Sequence, residues 1–187
     1  MAISADQARA VQRRAECLYT GPQVEAALDR MAAGIAGALA GTDPIVLCVM
    51  NGGLMIAGGL MLRLDFPLRQ DYLHVSRYRD ETRGARLHWL ARPRLPLQGE
   101  SVLVVDDILD EGVTLQAVVD ACREAGAARV RSAVLVRKRH ARNIGIEADF
   151  VGLEVDDRYV FGYGLDYKGY LRNAAGIFAV TPSDTTA

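Results

Sequence analysis

The sequence predicts an α/β fold, a mostly parallel sheet flanked by helices, and three observations carry that prediction. The apolar runs Pro44–Met50, Val102–Val105 and Ala133–Val136 are continuous rather than alternating, as strands buried on both faces are. Helical spacing separates the second run from the third: Leu115, Val118, Val119 and Cys122 fall at i, i+3, i+4 and i+7 of one helix face. Acids and glycines follow the strand ends, where open α/β sheets bind ligands.

At 187 residues the chain is long enough to bury a sizeable core as one domain. Half the residues are apolar and the formal net charge is −1, which is an ordinary soluble composition without the basic excess of a general nucleic-acid binder. Cys17, Cys48 and Cys122 are scattered, two of them inside apolar runs, with no metal-ligand spacing, and read as reduced core residues of a cytosolic protein. The polar N-terminal stretch lacks an apolar signal region and no apolar run is long enough to span a membrane, so a cytoplasmic location is expected.

Taken in order, Ser4-Ala5-Asp6-Gln7 fits a capping box that opens a short helix. Gly21-Pro22 breaks the chain, and Val24, Ala27, Leu28, Met31, Ile35, Ala38 and Leu39 then trace one helix face to a stop near Gly41. Strand Pro44–Met50 ends in Asn51-Gly52-Gly53, and Leu54–Leu62 resumes helical spacing. The paired glycines fit either a plain turn or an anion site at a helix start. Tyr72–Tyr78 is a mixed strand, Arg79–Gly84 a dense charged turn, and Ala85–Leu90 its hairpin return. After the strand Val102–Val105 and the helix that stops at Gly126, Arg129–Arg137 is the next strand. Its end carries Arg137-Lys138-Arg139-His140, a cluster that suits a solvated edge, and His140 reads as surface. Asp149–Val155 is a further strand. Aromatics interleaved with glycines follow through Tyr167, fitting a packed turn or a stacking slot for a flat heterocycle. Gly176–Val180 is a short strand and Pro182–Ala187 a loose tail.

The segment Ser101–Thr114, SVLVVDDILDEGVT, carries the most chemistry. The start of a helix presents unpaired N–H groups and a positive dipole end, which suit a phosphate. Gly112 supplies the turn, and the Thr114 hydroxyl can add a donor. Asp106 and Asp107 repel a phosphate; they suit sugar hydroxyls, or a Mg²⁺ that bridges to phosphates. A ribose bearing a 5-phosphate and a metal-bound diphosphate fits both halves. A buried strand followed by a solvated acidic turn is the plainer alternative.

These residues resemble the phosphoribosyl-pyrophosphate (PRPP) motif of type I phosphoribosyltransferases: four apolar residues, two acids, a short loop, then Gly-x-Thr. The family has Thr or Ser before the glycine and often Gly or Lys after it, where this chain has Glu111 and Val113. The resemblance runs from about Ile45 to Val180. It implies the type I phosphoribosyltransferase fold, with a core at about 42–160 and a small hood from about 1–40 and 160–187. It implies PRPP contacts from Asp106, Asp107, Asp110, Glu111, Gly112, Val113 and Thr114, from Asn51 and Gly52 in the loop that binds pyrophosphate, and from Arg172. Relatives often carry Lys at the position of Asn51.

The match is strongest to the 6-oxopurine branch, the hypoxanthine–guanine phosphoribosyltransferases. It then implies that Lys138 donates to the purine oxo group, that Tyr159 stacks on the base, and that the Val160 backbone reads the ring edge. Mg²⁺ is the implied cofactor, held by Asp106, Asp107 and Asp166, the last also lying at the purine site. Asp110 is the implied catalytic residue, acting at N7 as base or electrostatic partner. Arg77 and Tyr78 fall at the base of a mobile lid. PRPP, hypoxanthine, guanine, IMP, GMP and pyrophosphate are the implied small-molecule partners, without nucleic acid or membrane, in a homodimer or homotetramer.

A second expectation, from a different class, is a regulator that senses PRPP or nucleotides while binding nucleic acid; the near-neutral charge and Asp110 count against it. A dinucleotide-dependent oxidoreductase fails for want of a Gly-x-Gly-x-x-Gly turn after an early strand.

Overall fold

The computed structural model describes residues 3–77 and 87–185. Five strands run parallel, with helical crossovers joining two pairs of them. They are β2 (Ile45–Met50), β3 (Arg69–Arg77), β5 (Ser101–Leu109), β6 (Arg129–Arg139) and β7 (Phe150–Asp156), joined at the edge by antiparallel β4 (Leu87–Ala91). The order is β4-β3-β2-β5-β6-β7. From β2 the chain crosses through α3 (Gly53–Met61) to β3 on one side; from β5 it crosses through α4 (Val113–Glu124) to β6 on the other. The carboxyl ends of β2 and β5 therefore flank the switch point, where the two connections diverge and leave a crevice.

The continuous apolar runs have their explanation in two covered faces. Val46 and Cys48 of β2, with Leu103 and Val105 of β5, pack under α3 and α2 (Gly21–Leu39). Ile45, Leu47 and Val49, with Val102 and Val104, face α4 through Leu115, Val118, Val119 and Cys122. Successive residues alternate between faces, and both faces are apolar.

A second sheet of three strands, in the order β1-β9-β8, joins the chain's two ends: β1 (Glu16–Thr20), β8 (Val160–Phe161) and β9 (Gly176–Ala179). Helix α1 (Ala5–Arg14) begins with the expected capping box, Ser4 and Gln7 exchanging hydrogen bonds. Val11, Phe161, Tyr167, Ala174 and Val180 form a small core of their own.

Strand β1 has no counterpart in the sequence reading: its half-exposed pattern shows no alternation, and it exists because β9 pairs with it. One expectation fails here. The tail is not loose over residues 182–185, which form a short helix, α5 (Pro182–Thr185). Asp184 is buried and accepts two hydrogen bonds from Arg14, at 2.6 and 3.1 Å, while its carbonyl accepts from the Tyr167 hydroxyl. Among the described residues no helix is long and apolar enough to cross a membrane.

Candidate active site

The site grows from the end of β5. Asp106 is buried, and its Oδ1 accepts the Asp107 N–H at 2.9 Å. Asp107 is 15 % exposed and lies against Gly52, the residue just before α3. Burial drives the Asp107 carboxyl upward, opposed by hydrogen bonding to Asp106 and by the charge of Arg172. The Arg172 guanidinium stands 3.8 Å from Asp107 Oδ2 and 2.7 Å from Asp166 Oδ1, and it donates to the Gly164 carbonyl at 2.5 Å. Two anions and a turn carbonyl thus hold one planar fork, a geometry that guanidinium satisfies and ammonium does not.

Three residues further on stands Asp110. Its Oδ2 accepts from Lys138 Nζ at 2.9 Å and its Oδ1 lies 2.5 Å from His140 Nε2. Burial pushes this carboxyl up, yet hydrogen bonds from Lys138 and His140, with the charge of Lys138, outweigh burial and hold it below the usual carboxylate range. Gly112 then turns the chain into α4 with φ +91°, and an added β-carbon would meet Ile146 at 2.3 Å. Both the angle and the contact demand glycine. The start of α4 opens toward the cleft with Thr114 in its first turn.

Two chambers meet here. The larger, about 460 Å³, is lined by Asn51, Gly52, Asp106, Asp107, Gly112, Thr114 and Arg172. The smaller, about 200 Å³, is lined by Ile108, Lys138, Tyr159, Val160 and Leu165. Asp107, Asp110 and Asp166 border both. The Tyr159 ring, half exposed, is held edge-to-face by Tyr167 with centroids 5.5 Å apart.

Most sequence-predicted residues therefore converge, though the segments that supply them lie far apart in the chain. Glu111 and Val113 do not line either chamber; the Glu111 carboxylate faces the Arg142 guanidinium at 3.9 Å. Arg77 is the last residue of β3, and Tyr78 lies outside the described residues. Lys138 is not on a solvated edge: only 13 % of its side chain is exposed. His140 was read as surface and is not; its side chain is 5 % exposed and packs on Asp110. The signal was available, since His140 sits two residues after Lys138 at a strand end, the spacing that shares a face. Among the described residues, Asp110, His140 and Asp157 also have the spacing of a metal group. Asp157, however, is taken up by a bidentate Arg142 at 2.7 and 2.9 Å.

The sequence matches the family described as the phosphoribosyl transferase domain over residues 15–168, a span that contains both chambers except for Arg172. The chain belongs to the phosphoribosyltransferase family. Its relatives include the hypoxanthine-guanine phosphoribosyltransferase of Bacillus subtilis, 29% identical over 167 residues that cover 89% of this chain and 93% of the relative. The bifunctional protein TilS/HprT of Listeria innocua is 34% identical over 143 residues, 76% of this chain; the chain spans only 22% of that protein's length. The hypoxanthine phosphoribosyltransferase structure from Staphylococcus aureus superposes with a TM-score of 0.84 at 26% identity, over 90% of this chain and 92% of that one. These relatives are phosphoribosyltransferases by name, which favours the enzyme over the regulator.

Proposed function

We propose that this phosphoribosyltransferase acts in purine salvage, converting hypoxanthine or guanine plus PRPP to IMP or GMP plus pyrophosphate. The observation that carries the reading is the Lys138–Asp110 pair, which stands at the seam of the two chambers. The larger chamber suits PRPP and the smaller a flat base. Asp106 and Asp107 take the ribose hydroxyls, and backbone groups of Asp110–Thr114 with the Thr114 hydroxyl take the 5-phosphate. Glu111 and Val113 contribute through the backbone alone. Asn51, Gly52 and Arg172 receive the pyrophosphate end.

Lys138 is donor-only, so it favours the oxo group of a 6-oxopurine over the amino group of adenine. Tyr159 stacks on the base and the Val160 backbone reads its edge. As N9 attacks C1′, the bond from C1′ to the diphosphate oxygen breaks and pyrophosphate leaves with the electron pair. The N7 proton is taken, or its developing charge stabilised, by Asp110. Oxocarbenium character at C1′ makes water a competitor. A hood formed by the three-stranded sheet would exclude it.

The donor set fits Mg²⁺. Asp106, Asp107 and Asp166 are hard oxygen ligands of the kind Mg²⁺ takes, and all three line the larger chamber where the diphosphate would lie. When bound, the ion makes the diphosphate a better leaving group.

The test is a Mg²⁺-dependent nucleotide-formation assay with PRPP and hypoxanthine, guanine, xanthine or adenine in separate reactions. Turnover of hypoxanthine or guanine without adenine is the expected result. Turnover of adenine instead overturns the role given to Lys138, and no turnover with any base overturns the enzyme reading.

A further inference from the structure

We propose that His140 is a positioning residue for Asp110: its neutral imidazole donates from Nε2 to Oδ1 and holds the carboxylate in place when Lys138 turns to the substrate. The proposal rests on the functional reading above and adds a residue to it.

Geometry decides the tautomer. The backbone N–H of Arg142 lies 3.1 Å from His140 Nδ1 and can only donate, so Nδ1 carries its lone pair. A neutral imidazole then carries its proton on Nε2, and Nε2 is the atom 2.5 Å from Asp110 Oδ1. The surrounding charges leave this arrangement intact. Asp157, near the pair, is occupied by Arg142; Glu111 faces the same guanidinium; and Lys138 engages the other oxygen of Asp110. The imidazole is enclosed, with 5 % of its side chain exposed.

The two oxygens of Asp110 therefore have different duties. Oδ2 is shared, held by Lys138 before the base arrives and offered to N7 when the ammonium turns to the purine oxo group. Oδ1 stays with His140 throughout. Without that second donor, a half-buried carboxylate released by Lys138 would be free to rotate, and burial would favour its protonated form.

The experiment compares His140→Leu, which removes the donor, with His140→Gln, which keeps an N–H at similar reach. Two readouts are taken: kcat and KM against pH, and the carboxyl-carbon NMR titration of Asp110 in substrate-free protein, assigned with Asp110→Asn. In His140→Leu, kcat falls about tenfold, KM for PRPP is unchanged, and the acid limb and the Asp110 midpoint both move to higher pH. His140→Gln restores most of each. An unchanged midpoint in His140→Leu, or a loss of kcat that His140→Gln does not restore, overturns the proposal. If His140→Leu does not fold, His140→Asn, whose amide is too short to reach Oδ1, takes its place. If the wild type forms no nucleotide, the functional reading fails separately, and the Asp110 midpoint alone decides whether His140 holds the carboxylate.

Discussion

Gly52 lies directly against Asp107: a β-carbon on Gly52 would stand 1.9 Å from Oδ2 and 2.3 Å from Cγ of the carboxylate. The turn after β2 and the loop after β5 therefore share one volume, and the missing side chain of the first is what admits the carboxylate of the second. Gly52→Ala must displace Asp107 by an ångström or more, so kcat/KM falls about a hundredfold while far-UV circular dichroism stays native. Gly58→Ala, inside α3 with open space around it, is the control and leaves kcat/KM at the wild-type value.

In the proposed role, Asp110 must be ionised to accept a proton or to stabilise charge at N7. Burial raises its carboxyl, the Lys138 and His140 donors lower it further, and the net position is below the ordinary carboxylate range. Folded Asp110 thus remains ionised as pH falls through that range, and the acid limb of kcat/KM is expected below it. Asp110→Asn lowers kcat by about a hundredfold or more, while PRPP affinity measured by calorimetry is little changed. Near-normal turnover in that variant sinks the role given to Asp110.

Asp71 is a buried acid that serves the fold. Its Oδ2 accepts the backbone N–H groups of Arg94 and Leu95 at 2.6 and 2.8 Å, and its Oδ1 that of Tyr72. Burial raises the carboxyl, but the three backbone donors prevail and it lies below its ordinary value. A carboxyl lowered by folding adds stability that is complete above the unfolded value and is lost as pH falls through the folded one. Asp71→Ala should cost about 2 kcal/mol in urea unfolding at neutral pH and flatten the acid side of the stability profile. An unaltered denaturation midpoint refutes the clamp.

Burial pushes the Cys48 and Cys122 thiols up to about 11, with Asp106 and Asp107 adding to the effect at Cys48. Both are scarcely thiolate at neutral pH and both are enclosed, as expected of core residues; Cys17, expected in the core as well, is exposed instead. A thiol reagent at pH 7 should label Cys17 alone in the native protein and all three in denaturant. Rapid native labelling of Cys48 or Cys122 contradicts that burial.

The parts legible in the sequence were those with a local cause. Continuous runs such as Val102–Val105 announce doubly covered strands, and Gly112 announces a turn with positive φ. Strand β1 was missed because Glu16–Thr20 has no alternation; β9, at the far end of the chain, makes it a strand. Asp184 was missed for the same reason, since its partner Arg14 lies at the opposite terminus. His140 was missed through the company it keeps: in a run of Arg137, Lys138 and Arg139 a basic residue looks solvated, and only strand spacing distinguishes the inward pair.

By itself the sequence determined the fold class and the chemistry of each loop, because hydrophobic period and turn residues act over a few neighbours. It also determined, through Asp106, Asp107, Asp110, Lys138 and Tyr159, which groups were available to a site. Tertiary structure alone decided how they meet. The order β4-β3-β2-β5-β6-β7 puts the β2 and β5 loops side by side and stands Lys138 and His140 on the two oxygens of Asp110, while the segment between β8 and β9 brings Arg172 within 3.8 Å of Asp107. Such contacts join residues remote in the chain, and they follow from packing whole faces against one another, which no local pattern encodes.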